Sequence, residues 1–191
     1  MVAVKLPAVP VHCLADRTTY SDLNSQVTRR TQDLTLFALI ALATLAVGQV
    51  IGYLVNTTIP ENTTVEINTF LHFTHIRNHG GVFGLLQGSG WLFGLISVAL
   101  LVAVSVYLAV GRGIQRFEYV CFGFIVGGGA SNVLDRLIYG SVIDFIDIQH
   151  IPYWNYVFNT ADVMVHVGIW PLLLLGLLTG SRPDPAETQQ R

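Results

Sequence analysis

The chain has 191 residues, of which 52% are hydrophobic and only 12% charged, with a net charge of −2 and a mean hydropathy of +0.56. Soluble domains carry roughly 25% charged residues, so this composition points to a membrane protein. The near-neutral charge gives no electrostatic reason to expect nucleic acid as a partner.

Residues 1–33 read as a polar N-terminal tail. They lack the basic start, continuous apolar centre and small-residue cleavage site of a signal peptide, and insertion is expected to rely on the first membrane helix as an uncleaved anchor. A hydrocarbon core about 30 Å thick needs about 20 apolar residues per helix, and four stretches meet that length: Leu34 to Val55, Trp91 to Val110, Phe117 to Ile138 and Val163 to Leu178. The fold class expected is therefore an all-α membrane protein, one four-helix domain over 34–180, followed by a polar C-terminal tail over 181–191. The third span holds Gly127, Gly128 and Gly129, small residues that let helix backbones approach closely in lipid. Cys13 falls in the tail and Cys121 within a span, so no disulfide is expected between them.

Orientation follows from the basic residues. Lys5, Arg17, Arg29, Arg30, Arg112, Arg116, Arg182 and Arg191 collect on one side, eight against Arg77 and Arg136 on the other. That majority makes both termini cytoplasmic, leaving Asn56 to Gly90 and Tyr139 to Thr160 outside. In the first outer segment Thr63 to Asn68 alternates polar and apolar residues, and β-branched and aromatic residues continue through Ile76. Such a pattern predicts short strands, a small extracytoplasmic β-rich element lying on the outer leaflet.

The polar residues at the outer face carry the chemistry. Asn78-His79-Gly80-Gly81-Val82-Phe83-Gly84 precedes the second span; its glycines permit close backbone approach, although a glycine-rich turn entering a helix is the plainer account of this run alone. At the outer end of the third helix, Asn132, Asp135 and Arg136 share one face through their spacing, and Gly140 is placed to cap the helix end. Asp135 fits an interface-anchoring ion pair as well as a site, whereas the planar fork of Arg136 suits peptide carbonyls. Asp144 follows on a connection too short to span, expected as a loop or short strand. Asp162 opens the fourth helix, where Asn159 or Thr160 serves as the N-cap and the helix dipole favours a carboxylate. Capping would explain Asp162 but not Asp144. A carboxylate near hydrocarbon is costly unless paired, hydrated or protonated, and two of them point to a shared proton.

Taken in order, Asn78-x-Gly80-x-x-Phe83-Gly84, Asn132-x-x-Asp135-Arg136-x-x-x-Gly140-x-Val142-x-Asp144-Phe145 and Phe158-Asn159-x-Ala161-Asp162 resemble the motifs of the lipoprotein signal peptidases, also called signal peptidase II. The resemblance covers roughly residues 34–180. It implies an aspartic endopeptidase of the bacterial inner membrane that removes signal peptides from diacylglyceryl-modified prolipoproteins, in contact with membrane lipids. By it, Asp144 and Asp162 are the catalytic pair, Asn78, Asn132, Arg136 and Asn159 position substrate or dyad, and Asp135, Gly80, Gly84 and Gly140 are structural. One departure stands out. The family usually carries an Asp-Gln pair followed by a Lys in its first helix, whereas this chain has Gly48-Gln49-Val50-Ile51-Gly52.

Two adjacent carboxyls cannot both ionise cheaply, so one polarises the scissile carbonyl while the other takes a proton from water. No metal and no cofactor is required. His72, His75, His79 and His166 offer a competing metal reading, but no His-Glu-x-x-His run accompanies them. A transporter with an acidic proton relay would place its acids near the midplane, within repeats, and neither feature is evident. A pseudoenzyme that binds lipopeptide without cutting it is the closer rival, supported by the first-helix departure.

Overall fold

The computed structural model describes residues 12–81 and 86–179, in the order α1 (His12–Thr58), β1 (Thr64–Glu66), β2 (Leu71–Asn78), α2 (Gly90–Val110), α3 (Arg116–Tyr139), β3 (Val142–Ile148), β4 (Val157–Phe158) and α4 (Thr160–Thr179). The segments Asn24–Thr58, Gly90–Val110, Arg116–Tyr139 and Thr160–Leu178 are each long and apolar enough to cross a membrane. Three of the four match the spans read from hydropathy to within a few residues. The first does not, because α1 runs unbroken through the polar residues before Leu34. Backbone hydrogen bonding within a helix is indifferent to side-chain polarity, so a hydropathy boundary need not be a helix boundary. The C-terminal tail and the first eleven residues lie outside the described residues.

Helix α3 is the spine, packed against α1, α2 and α4. Its buried positions include Gly123, Gly127, Gly128 and Ser131, so the two flanking helices meet it nearly backbone to backbone. A Cβ placed at Gly127 would stand 2.4 Å from the Ala41 carbonyl oxygen on α1, and one at Gly128 would stand 2.5 Å from that of Ala161 on α4. Only glycine permits this spacing. The lipid-facing sides stay apolar and exposed, as with Leu39, Leu95 and Leu174, which is what hydrocarbon favours.

Beyond one end of the helices the four strands form a single antiparallel sheet in the order β1-β2-β3-β4. Within the alternation over Thr63 to Asn68, Thr64–Glu66 forms β1, and the aromatic stretch after it forms β2. The sheet also takes in the second connection, through β3 and β4. Its inner face buries Ile143 and Phe145 against Val55 of α1, with Ile51, Ile59, Phe73, Tyr139 and Ile146 around them, and Phe73 meets Phe145 edge to face at 5.7 Å. Arg77 fastens the same corner: its guanidinium donates to Asn56 Oδ1 at 2.6 Å and lies over the Tyr139 ring. The sheet is thus fixed to the ends of α1 and α3.

Candidate active site

The end of α3 determines where Asp144 goes. Gly140 adopts the left-handed conformation at φ 71°, its N–H donating to the Arg136 carbonyl at 3.0 Å, which ends the helix and turns the chain into β3. Pairing of β2 with β3 sets Val142 opposite Asn78 and Asp144 opposite Ile76. Asn78 is then the diagonal neighbour of Asp144, and its Nδ2 donates to Asp144 Oδ2 at 3.0 Å. The Asn78 Oδ1 accepts from the Gly80 N–H at 3.0 Å, holding the following turn close, as Asn side chains commonly do. Gly80 is therefore part of this turn, while Phe83 and Gly84 lie outside the described residues.

Asp162 sits in the first turn of α4, and the two explanations of it coexist. The Asn159 Oδ1 accepts from the Asp162 N–H at 3.0 Å, and the Asp162 Oδ2 accepts from the Asn159 N–H at 3.2 Å. This reciprocal pair satisfies two otherwise orphan amides, in the manner of a capping box. The cap uses one oxygen only. Asp162 Oδ1 accepts from Asn132 Nδ2 of α3 at 2.7 Å, while Asn159 Nδ2 donates both to Asn132 Oδ1 at 3.1 Å and to Asp144 Oδ1 at 2.8 Å. A single asparagine thus touches both acids, and a second closes the circuit between them.

Every oxygen of the two carboxyls accepts a hydrogen bond from a neutral amide. Asp144 is almost wholly buried at 2% exposure, and Asn159 at 4%. Burial first, and then the neighbouring Asp162 charge, push the Asp144 carboxyl from its ordinary 3.8 up to about 7, against the Asn159 and Asn78 hydrogen bonds and the Arg136 charge. Its proton is consequently exchangeable near neutral pH.

The stripe Asn132, Asp135 and Arg136 divides between two neighbourhoods. Asn132 and Arg136, one turn apart, face the acids. The Arg136 fork donates from Nη1 to the Asn132 carbonyl at 3.1 Å and from Nη2 to the Gly80 carbonyl at 2.9 Å; its Nε is buried with no hydrogen-bond partner. Arg136 therefore lends its charge to the site while its hydrogen bonds hold the turn after β2 against α3. Asp135 faces α1 instead, accepting from Gln49 Nε2 at 2.8 Å and from the Ile143 N–H at 3.2 Å. These partners are neutral, in place of the ion pair that its position admitted.

Ser131 is a site neighbour that motif reading passed over. Gln49 Nε2 lies 3.1 Å from both its carbonyl and its Oγ. Its i, i+4 relation to Asp135 was the available signal, since it places both on the side of α3 that α1 covers. The same contact bears on the first-helix departure. A Cβ at Gly48 would sit 2.5 Å from Ser131 Oγ and 3.6 Å from the Ala161 Cβ, so a side chain there would have to displace the Ser131 hydroxyl that meets Gln49. The histidines are dispersed: His75 Nδ1 bonds the Ile59 carbonyl at 2.7 Å and His166 Nδ1 the Asp162 carbonyl at 2.8 Å.

Comparison with known proteins adds an independent line. The family model described as Signal peptidase (SPase) II matches residues 40–178. A lipoprotein signal peptidase of Moorella thermoacetica is 34% identical over 157 residues, covering 77% of this chain and 99% of that protein. Another, from Syntrophomonas wolfei subsp. wolfei, is 36% identical over 126 residues, covering 66% of this chain and 81% of its own. A solved structure described as a bacterial membrane enzyme, determined in meso at 2.3 Å resolution, superposes with a TM-score of 0.71 at 28% identity, over 78% of this chain and 92% of that one.

Proposed function

The chain belongs to the signal peptidase II family, aspartic proteases of the membrane that remove signal peptides from prolipoproteins, and on that premise we propose that Asp144 and Asp162 are its catalytic carboxyls. The observation that carries this assignment is the amide circuit: Asn159 donates to Asp144 and Asn132 while forming the cap with Asp162. Neutral donors orient both acids without cancelling their charge. One acid in its neutral form donates to the scissile carbonyl oxygen. Its ionised partner removes a proton from water as the water oxygen attacks the carbonyl carbon. The proton then passes to the leaving amine as the C–N bond breaks, which returns the pair to its starting charge. Since the two titrate as a unit, the resting proton belongs to the pair.

Asn78, Asn132 and Asn159 hold the dyad in this reading, and Arg136 fixes the turn at Gly80 that borders it. Asp135 and Gly140 support β3 from the end of α3. The substrate is the diacylglyceryl-modified prolipoprotein, reached from the surrounding lipid. With the basic majority on the cytoplasmic side, the acids lie near the extracytoplasmic face of the bacterial inner membrane and both termini inside. The peptidase domain spans 34–180 between the two tails.

Asp144→Asn and Asp162→Asn test the assignment. Each keeps the side-chain size but can neither ionise nor exchange a proton, so each should lose cleavage of a lipidated prolipoprotein by at least about a thousandfold, and the double mutant should be scarcely worse. Both should still insert and bind a lipopeptide. Substantial cleavage by either folded variant would remove the aspartic dyad, and a wild type that binds lipopeptide but never cuts it would make this chain a pseudoenzyme.

A further inference from the structure

The two carboxyls are reached from α3 and α4 directly, but one route to Asp144 begins on α1. Gln49 Nε2 donates to Asp135 Oδ1 at 2.8 Å, and the other oxygen of Asp135 accepts from the Ile143 N–H at 3.2 Å. Ile143 is the residue before Asp144. β4 pairs with β3 only at Ile146 and Asp147, so the first residues of β3 have a strand neighbour on one side alone, at β2. Asp135 supplies a partner on the other side, from a position itself only 6% exposed. A buried carboxylate that loses one donor is free to rotate toward another, and leaving it short is costly.

We infer that Gln49 is a positioning residue for the Asp144 carboxyl, acting through Asp135 and the Ile143 amide. The amide of Gln49 is itself placed by Ser131, whose carbonyl and Oγ it meets at 3.1 Å each. Close approach of α1 at Gly48 keeps the reach short. With Gln49 in place, Asp135 is held with one oxygen on the Ile143 N–H, and β3 cannot drift from the donors Asn78 and Asn159 that orient Asp144. Gln49 bonds neither Asp144 nor Asp162, its contacts being to Ser131 and Asp135, so its removal should leave binding intact and slow the chemical step.

The inference rests on the assignment of Asp144 as catalytic, and the test separates the two. Gln49→Met keeps the length of the side chain and removes the donor. In the purified full-length protein acting on a lipidated prolipoprotein, its kcat should fall about tenfold with KM within about twofold. Asp135→Asn should also be slow, and Gln49→Met/Asp135→Asn should be no slower than the worse single variant, because both cut one route. Ser131→Ala, which removes only one of the three contacts of Gln49, should stay within about twofold of wild type. Wild-type kcat in Gln49→Met, or losses that multiply in the double variant, would overturn the inference. If Gln49→Met does not accumulate, Gln49→Asn retains the amide on a shorter stem and should show the same kcat loss; failure of both to fold would make Gln49 purely structural and equally overturn it. An active Asp144→Asn protein, by contrast, would defeat the dyad assignment whatever Gln49 does.

Discussion

At the level of single side chains, Asp162 is bound by the helix it starts and by the site it faces. Asp144 has no such structural duty, which makes it the cleaner reporter of the site's electrostatics. Its carboxyl is held at about 7 against an ordinary 3.8. Between about pH 4 and 7 the folded protein keeps a proton that the unfolded chain has released, so stability should fall as pH rises through that window and level off above it. Thermal unfolding in detergent micelles should show this as a declining Tm, and Asp144→Asn, which cannot titrate there, should flatten the decline. An undiminished slope in the variant would move the titration to other groups. Both acids were legible in the sequence because charge at the edge of a membrane-length apolar run is conspicuous. The particular hydrogen bonds joining them through Asn132 and Asn159 were not, since these two are separated by a whole connection and periodicity says nothing about contacts between separate segments.

Among the elements, α3 fixes the most and tolerates the least. A Cβ at Gly128 would meet the Ala161 carbonyl at 2.5 Å and Val165 Cγ2 at 2.9 Å. The first of these is backbone, beside Asp162, and cannot swing aside. Gly128→Ala should therefore push the start of α4 outward, costing about 1–3 kcal/mol of stability and lowering turnover as Asn132 and Asp162 separate. Gly129→Ala is the control: its nearest obstacle is Leu101 Cδ2 at 2.9 Å, the end of a flexible side chain, so it should be milder in both Tm and rate. Equal effects would show that the glycines matter for packing in general rather than for the α3–α4 seam. Hydropathy gave the spans and glycine content hinted at close packing, but which helix each glycine meets depends on rotation about the helix axis. The sheet was half legible for a similar reason: Thr63 to Asn68 shows its alternation, whereas Val142 to Ile148 is mostly apolar at its start because both faces are covered there.

For the molecule as a whole, the proposed orientation puts the basic majority inside and the sheet outside. Single cysteines introduced at exposed positions of a cysteine-free chain test it: Thr64→Cys on β1 should react with a membrane-impermeant maleimide added outside, and Arg112→Cys between α2 and α3 only after permeabilisation. The reverse pattern would invert the protein, and labelling of both from one side would break the four-span arrangement. Helix α1 then has an implication for mechanics. The candidate span Asn24–Thr58 has 35 residues, about 52 Å at 1.5 Å per residue; its apolar part from Leu34 to Val55 fits a hydrocarbon core of about 30 Å, and the polar turns from Asn24 to Asp33 extend beyond it. It holds no proline at which to bend, and its far end is clamped to the sheet by Val55 and Asn56. A stiff helix leans when the layer that its apolar stretch must fit thins, and straightens when that layer thickens. Gln49 rides on this rod, so the lipid environment has a lever whose short arm ends at Asp135, one hydrogen bond from the strand that carries Asp144.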